Sequence, residues 1–179
     1  KEFDLRVAGF LMEKEIDFLS RAVENPARPY AAILGGAKVE DKIPVIENLI
    51  KKVDTLLIGG GMMFTFLKAQ GQEVGNSLVD EKSLDFASEM MKEHADKIIL
   101  PVDCLAAKSF NPGSMTIGRT ETVAADSIPP EWTGLDIGPE SIEKFIGACK
   151  DARTIVWNGP MGVFEVEKSA RGTMEIAKK

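Results

Sequence analysis

Residues 31–42 read AAILGGAKVEDK: four small or apolar residues run into Gly35-Gly36, and Lys38 and Lys42 follow, four positions apart. Two further stretches share the glycines, Gly59-Gly60-Gly61 and NGPMG at 158–162. Glycine lets a ligand approach the backbone and leaves N–H groups free to meet an anion. Lysine ammonium groups add charge-assisted bonds to phosphate. Singly, each feature has a bland reading: a tight turn, a solvated lysine on a first helical turn, a common turn tripeptide. Together they point to a phosphate-bearing ligand.

Other chemistries find little support. The single histidine, His94, falls near the charged end of a helix, EMMKEHADK, where it favours the terminus, so Ser-His-Asp and multi-histidine zinc chemistry are not expected. Cys104 and Cys149 lie outside any metal or redox spacing. Cys149 shares an apolar stripe with Ile142, Phe145 and Ile146 and reads as a core thiol. This cysteine usage suggests a reducing, cytoplasmic compartment.

The 179 residues suffice for one domain with a real core. Composition is that of a soluble globular chain, 44% hydrophobic and 28% charged. A net charge of −6 without a basic run argues against nucleic acid. No apolar stretch is long enough to span a bilayer, and the start shows no signal-peptide pattern.

The elements that must position the glycines and lysines alternate. YAAIL (30–34), TLLIG (55–59), KIILPV (97–102) and TIVWN (154–158) read as buried parallel strands. Helices are expected at about 9–25, at 41–53, over MMFTFLKAQ up to Gly71, at 81–95 and at 139–150. Asp41 is expected to cap the second, with Pro44 in its first turn. The stretch 111–134, rich in Pro, Gly and Thr, breaks the alternation and holds one extra strand, TETVAA. The fold class is therefore α/β: three layers, a Rossmann-like, mostly parallel sheet with helices on both faces. Ligands of such sheets bind outside the carboxyl ends of the strands, where the glycines fall.

Walker-type and dinucleotide fingerprints are both absent: G-x-x-x-x-G-K-[ST] does not occur, and GGGMMF lacks the third spaced glycine. Asp54 lies about the right distance from Gly35 for a dinucleotide acid, but before the second strand rather than after it, which leaves a dinucleotide oxidoreductase as runner-up. No poised nucleophile or base stands out. Phosphoryl transfer, which needs positioning and charge more than covalent help, suits glycines and lysines.

Five stretches, RPYAAILGGAKVEDKI, LLIGGGMMFTFLKAQGQEVGNS, IILPVD, WTGLDIGPESIEKF and TIVWNGPMGVFE, resemble in order the C-terminal, nucleotide-binding domain of phosphoglycerate kinase. The likeness runs from about Val7 to Lys179; KEFDLR at 1–6 lies outside it. It implies one incomplete nucleotide-binding domain over 1–179, with 1–25 as an interdomain connector helix region. The implied reaction moves a phosphoryl group between 1,3-bisphosphoglycerate and ADP, giving 3-phosphoglycerate and ATP in glycolysis. An N-terminal domain would supply the 3-phosphoglycerate side, so these residues alone are expected to be inactive.

By the same resemblance the nucleotide phosphates sit near Gly36, Ala37, Lys38 and Lys42, with Lys38 the catalytic lysine that follows the transferring group. Gly60, Gly61 and Phe64 would wall the adenine, with Leu78 and Leu135 below it. Asn158, Pro160, Gly162 and Val163 would lie beside base and ribose, and Glu165 would bond the ribose hydroxyls. Without the resemblance, Phe64, Leu78 and Leu135 read as core and Glu165 as a solvated acid. Magnesium is implied with ADP or ATP, but the family's aspartate ligand has no counterpart here, so no metal residue is assigned. A folded scaffold without useful nucleotide affinity is the other alternative. An unpaired sheet edge is expected to favour self-association.

Overall fold

The computed structural model describes Val7 and residues 9–179. KEFDLR, at 1–6, lies outside the described residues. Six helices are described: α1 Phe10–Glu24, α2 Ile43–Ile50, α3 Met62–Ala69, α4 Leu84–Glu93, α5 Pro139–Cys149 and α6 Arg171–Ala177. The strands are β1 Tyr30–Leu34, β2 Thr55–Ile58, β3 Glu73–Val74, β4 Ile98–Ile99, β5 Asp103–Ala107, β6 Phe110–Asn111, β7 Thr116–Ile117, β8 Thr120–Ala124, β9 Ser127–Ile128, β10 Thr133–Ile137 and β11 Thr154–Asn158.

A parallel sheet of order β11-β1-β2-β4 forms the centre. Every residue of β1 is buried. Alternate residues of a strand point to opposite faces, so a strand buried throughout must be covered on both. Ile33 faces a groove that Ile155 and Trp157 of β11 share with α5 and α6; Ala32 and Leu34, with no exposure, face the other layer. The expected three-layer α/β architecture is thus present.

A second, antiparallel sheet of order β10-β5-β8 stands beside it. The sequence predicts only its β8. The apolar run read as one strand over 97–102 pairs with β2 only at Ile98 and Ile99. Pro101 has no N–H to give to a ladder, and the chain leaves there for β5. The short pairs β3–β9 and β6–β7 complete the strands described.

Helix starts also depart from expectation. Asp41 does not cap α2, because residues 40–42 form a 3-10 turn and Lys42 occupies the cap position. Pro44 does fall in the first turn. The turn is tied down from outside: Asp80 Oδ2 accepts from the Glu40 N–H at 2.9 Å and from Ser83 Oγ at 2.8 Å. These donors, the Glu40 amide first, hold the Asp80 carboxyl below the usual carboxylate range.

The start of α5 is likewise capped from afar. Asp103 of β5 accepts from the N–H groups of Glu140 and Ser141 and from Ser141 Oγ. Cys104 beside it is buried, and burial pushes its thiol up to about 12, an inert core thiol. Cys149 is half-buried at the end of α5, and His94 closes α4 at its C-cap.

Candidate functional site

The carboxyl ends of β11, β1 and β2 meet through backbone contacts, and that meeting requires glycine. The Gly35 N–H donates to Asn158 O at 2.8 Å, Gly36 to Pro160 O at 3.0 Å, and Gly60 to Met161 O at 3.1 Å. A side chain at Gly35 would run into Pro160 O. Gly60 adopts φ +63°, and a Cβ there would stand 2.5 Å from Gly36 N. The glycines thus pack three loops against one another as well as clearing room for a ligand.

In front of them opens a cleft of about 520 Å³. Gly36, Ala37, Gly60, Gly61, Phe64, Leu78, Leu135, Pro160, Gly162, Val163 and Glu165 all line it. Eleven of the fourteen residues singled out from the sequence therefore line a single cleft. Phe64 and Leu135 are 2% and 4% exposed, so they are core residues whose edges also form cleft wall, whereas Leu78 is 51% exposed. The Val163 N–H donates to Leu135 O at 2.8 Å, joining the 160–165 segment to β10.

The other three stand outside the lining. Lys38 follows Ala37 and is exposed. Lys42 Nζ, half-buried, donates to Asn158 Oδ1 across the gap between the start of α2 and the end of β11. The two ammonium groups therefore belong to the loop and turn that leave the cleft at Ala37, not to its apolar interior.

Sequence reasoning missed the outer wall. Phe110, Pro112 and Met115, on the β6–β7 hairpin, line the cleft, as do Asn76, Thr133, Gly134 and Phe164. The one available signal was an aromatic residue and a methionine bracketing an Asn-Pro-Gly turn, FNPGSM, in an otherwise polar stretch. Gly134 could not have been found from the chain alone: the Phe64 ring occupies the space a side chain would need.

Two acids separate the possible ligands. Asp54, the dinucleotide candidate, accepts from the Tyr30 N–H at 2.7 Å and pairs with Arg28. The Tyr30 amide first, then the Arg28 guanidinium, hold its carboxyl below the usual range. It thus sits at the amino ends of β1 and β2, opposite the cleft, which removes the acid a dinucleotide ribose would need. Asp136 of β10 is 2% exposed directly behind the cleft wall, and accepts from Gly172 N–H at 2.8 Å and Ile137 N–H at 2.9 Å.

Among the described residues no three His, Cys, Asp or Glu side chains gather as a metal-ligating set. The donor set of this cleft thus does not fit a divalent cation held by protein side chains. No described helix is long and apolar enough to cross a membrane.

A parallel sheet with a glycine-rich cleft across its strand ends belongs to the ligand-binding open α/β class. The chain belongs to the phosphoglycerate kinase family, whose model matches residues 1–179. That match takes in residues 1–6, which the motif resemblance left out. The phosphoglycerate kinase of Macrococcus caseolyticus is 53% identical over 171 residues, covering 96% of this chain and 42% of the relative. That of Thermosipho africanus is 54% identical over 175 residues, with the same coverage. The solved phosphoglycerate kinase from Coxiella burnetii superposes with a TM-score of 0.87 at 39% identity, covering 96% of this chain and 44% of that one. The one from Pyrococcus horikoshii gives 0.80 at 34% identity, covering 95% and 43%. The chain spans less than half the length of the relatives it matches.

Proposed function

We propose that these residues form the nucleotide-binding part of a phosphoglycerate kinase, one that transfers a phosphoryl group between 1,3-bisphosphoglycerate and ADP to give 3-phosphoglycerate and ATP. What supports this reading is the convergence of three glycine-rich strand ends on one largely apolar cleft with two lysines beside it, in a chain of this family. The base and ribose take the apolar slot between Phe64 and Val163, within reach of Glu165. The phosphates leave at Gly36-Ala37 toward Lys38 and Lys42. Lys38 follows the transferring group and Lys42 anchors the phosphates, giving up its bond to Asn158 in part. Magnesium, if it accompanies the nucleotide, would find no set of ligating side chains among the described residues.

Titration calorimetry tests this directly. ADP is expected to bind in preference to NAD, and Lys42→Ala to weaken ADP by about 1.5–3 kcal/mol, the worth of a charge-assisted bond. Added salt weakens binding as well, because the lysines face solvent. Unchanged ADP affinity in Lys42→Ala counts against its role; no ADP affinity at all favours the scaffold reading, and NAD preference the oxidoreductase.

The same proposal places the protein in the cytoplasm, with neither nucleic acid nor membrane as partner. The 3-phosphoglycerate side comes from residues beyond these. In α1, Phe10, Leu11, Met12 and Ile16 are all more than half exposed, as suits a connector that packs against the rest of the protein. Among the described residues β11 is an unpaired sheet edge, with Ile155 47% exposed. Such an edge templates pairing with another chain. Light scattering of the 179 residues is expected to show self-association at high concentration, and a clean monomer refutes it.

A further inference from the structure

We propose that the buried Asp136 carboxylate is a positioning residue for the cleft, clamping the 160–165 wall and α6 to β10 so that the wall's spacing depends on its ionised form. Three elements meet at this one side chain. On α6, the Gly172 N–H donates to Oδ2 at 2.8 Å, and a Cβ at Gly172 would lie 2.5 Å from Oδ1. On the wall, Gly162 leaves no room for a side chain, since its Cβ would lie 2.6 Å from that of Asp136. On β10 itself, Ile137 N–H donates to Oδ1 at 2.9 Å. The wall is tied to the same unit twice more, through Val163 N–H to Leu135 O at 2.8 Å and Met161 N–H to Thr173 Oγ1 at 2.9 Å. Gly162 and Val163 line the cleft on the far side of this clamp. The inference rests on the cleft being the nucleotide site.

An ionised carboxylate accepts from both N–H groups at once, whereas protonation turns one oxygen into a donor and sets it against an N–H. Burial raises this acid to about 6, despite the opposing bonds from Gly172 and Ile137, so the change falls just below neutrality. No cation among the described residues compensates it. Across the ladder β5 places Leu105 opposite and the neutral thiol of Cys104 next to it. Asp103, farther along β5, is engaged with the start of α5. Arg171 on α6 is exposed and makes no ion pair with Asp136, and Glu165 on the wall, an acid like it, is exposed as well. A shift of ionisation therefore acts on the wall itself and not through a salt bridge.

Amide spectra of the 179-residue chain and of Asp136→Asn, recorded between pH 5 and pH 7.5, read this clamp without any ligand. In the wild type the amides of Gly172 and of 161–164 are expected to share one transition near pH 6. In Asp136→Asn that transition is absent. Adenosine, which has no group titrating in this range, then reads the cleft. Its wild-type affinity is expected to fall by about tenfold with the same midpoint, the effect of weakening one bond. Asp136→Asn is expected to bind it weakly at every pH. If Gly172 titrates and 161–164 do not, or if the wall shifts and adenosine affinity stays flat, the proposal is overturned. If adenosine does not bind the wild type at any pH, the nucleotide reading fails by itself, and the 161–164 amides still decide whether Asp136 positions the wall.

Discussion

Gly60→Ala is expected to destabilise the fold by about 2–5 kcal/mol in urea unfolding. About 1–2 kcal/mol comes from holding a residue with a Cβ at positive φ, and about 1–3 kcal/mol from overlap that the core cannot relieve. Relief is blocked because the obstructing atoms are backbone: Gly36 N lies 2.5 Å from the added Cβ, and Gly36 O and Pro160 O lie at 2.8 Å. Those atoms belong to the strand-end loops that line the cleft, so the variant is also expected to lose ligand binding at temperatures where it remains folded. Gly147→Ala serves as the control. Nothing lies within 4 Å of its Cβ, and it sits inside α5. Removing a helical glycine there stabilises by about 0.5–1 kcal/mol. Equal stability of Gly60→Ala and wild type refutes this account of why the glycines are there.

The 179 residues alone are expected to form no measurable ATP from 1,3-bisphosphoglycerate and ADP. In-line transfer needs its reacting atoms held about 3–3.5 Å apart, and such positioning supplies about 7–11 kcal/mol of barrier reduction. The cleft described here accounts for the acceptor nucleotide only. Lys38 can follow the transferring charge, but nothing among its elements fixes the acyl phosphate, and closure of a second domain over the site would have to come from outside these residues. A coupled assay on protein free of host kinase checks this. Turnover within about a hundredfold of an intact phosphoglycerate kinase, lost in Lys38→Ala, would show that the catalytic power resides in these residues after all.

How far the sequence could be read depended on how local each cause is. YAAIL announces β1 because a strand covered on both faces needs no polar alternation, and its bounds match the structure. β5 and β10 were hidden because DCLAA opens on Asp and TGLDI carries Gly and Asp inside the strand, residues poor in β propensity. Those residues have distant reasons. Asp103 caps α5, Asp136 meets Gly172, and Gly134 yields to Phe64. Asp41 misled for the same reason: the turn it lies in starts at Glu40, whose N–H is held by Asp80, a residue in another loop. In the cleft, glycines and lysines were legible by type. Phe64 and Leu135 could not be told from core because they are core, and Phe110 and Met115 arrive only through a hairpin fold. The particular ligand came from resemblance rather than from any residue pattern.

A crystal structure of the chain grown with ADP shows whether a nucleotide occupies this cleft. The base is expected between Phe64 and Val163, the ribose beside Glu165 and the diphosphate at Gly36-Ala37 with Lys42 turned toward it. ADP seated elsewhere, such as in the groove beside Trp157 between α5 and α6, with the cleft between Gly60 and Leu135 left to solvent, would contradict it.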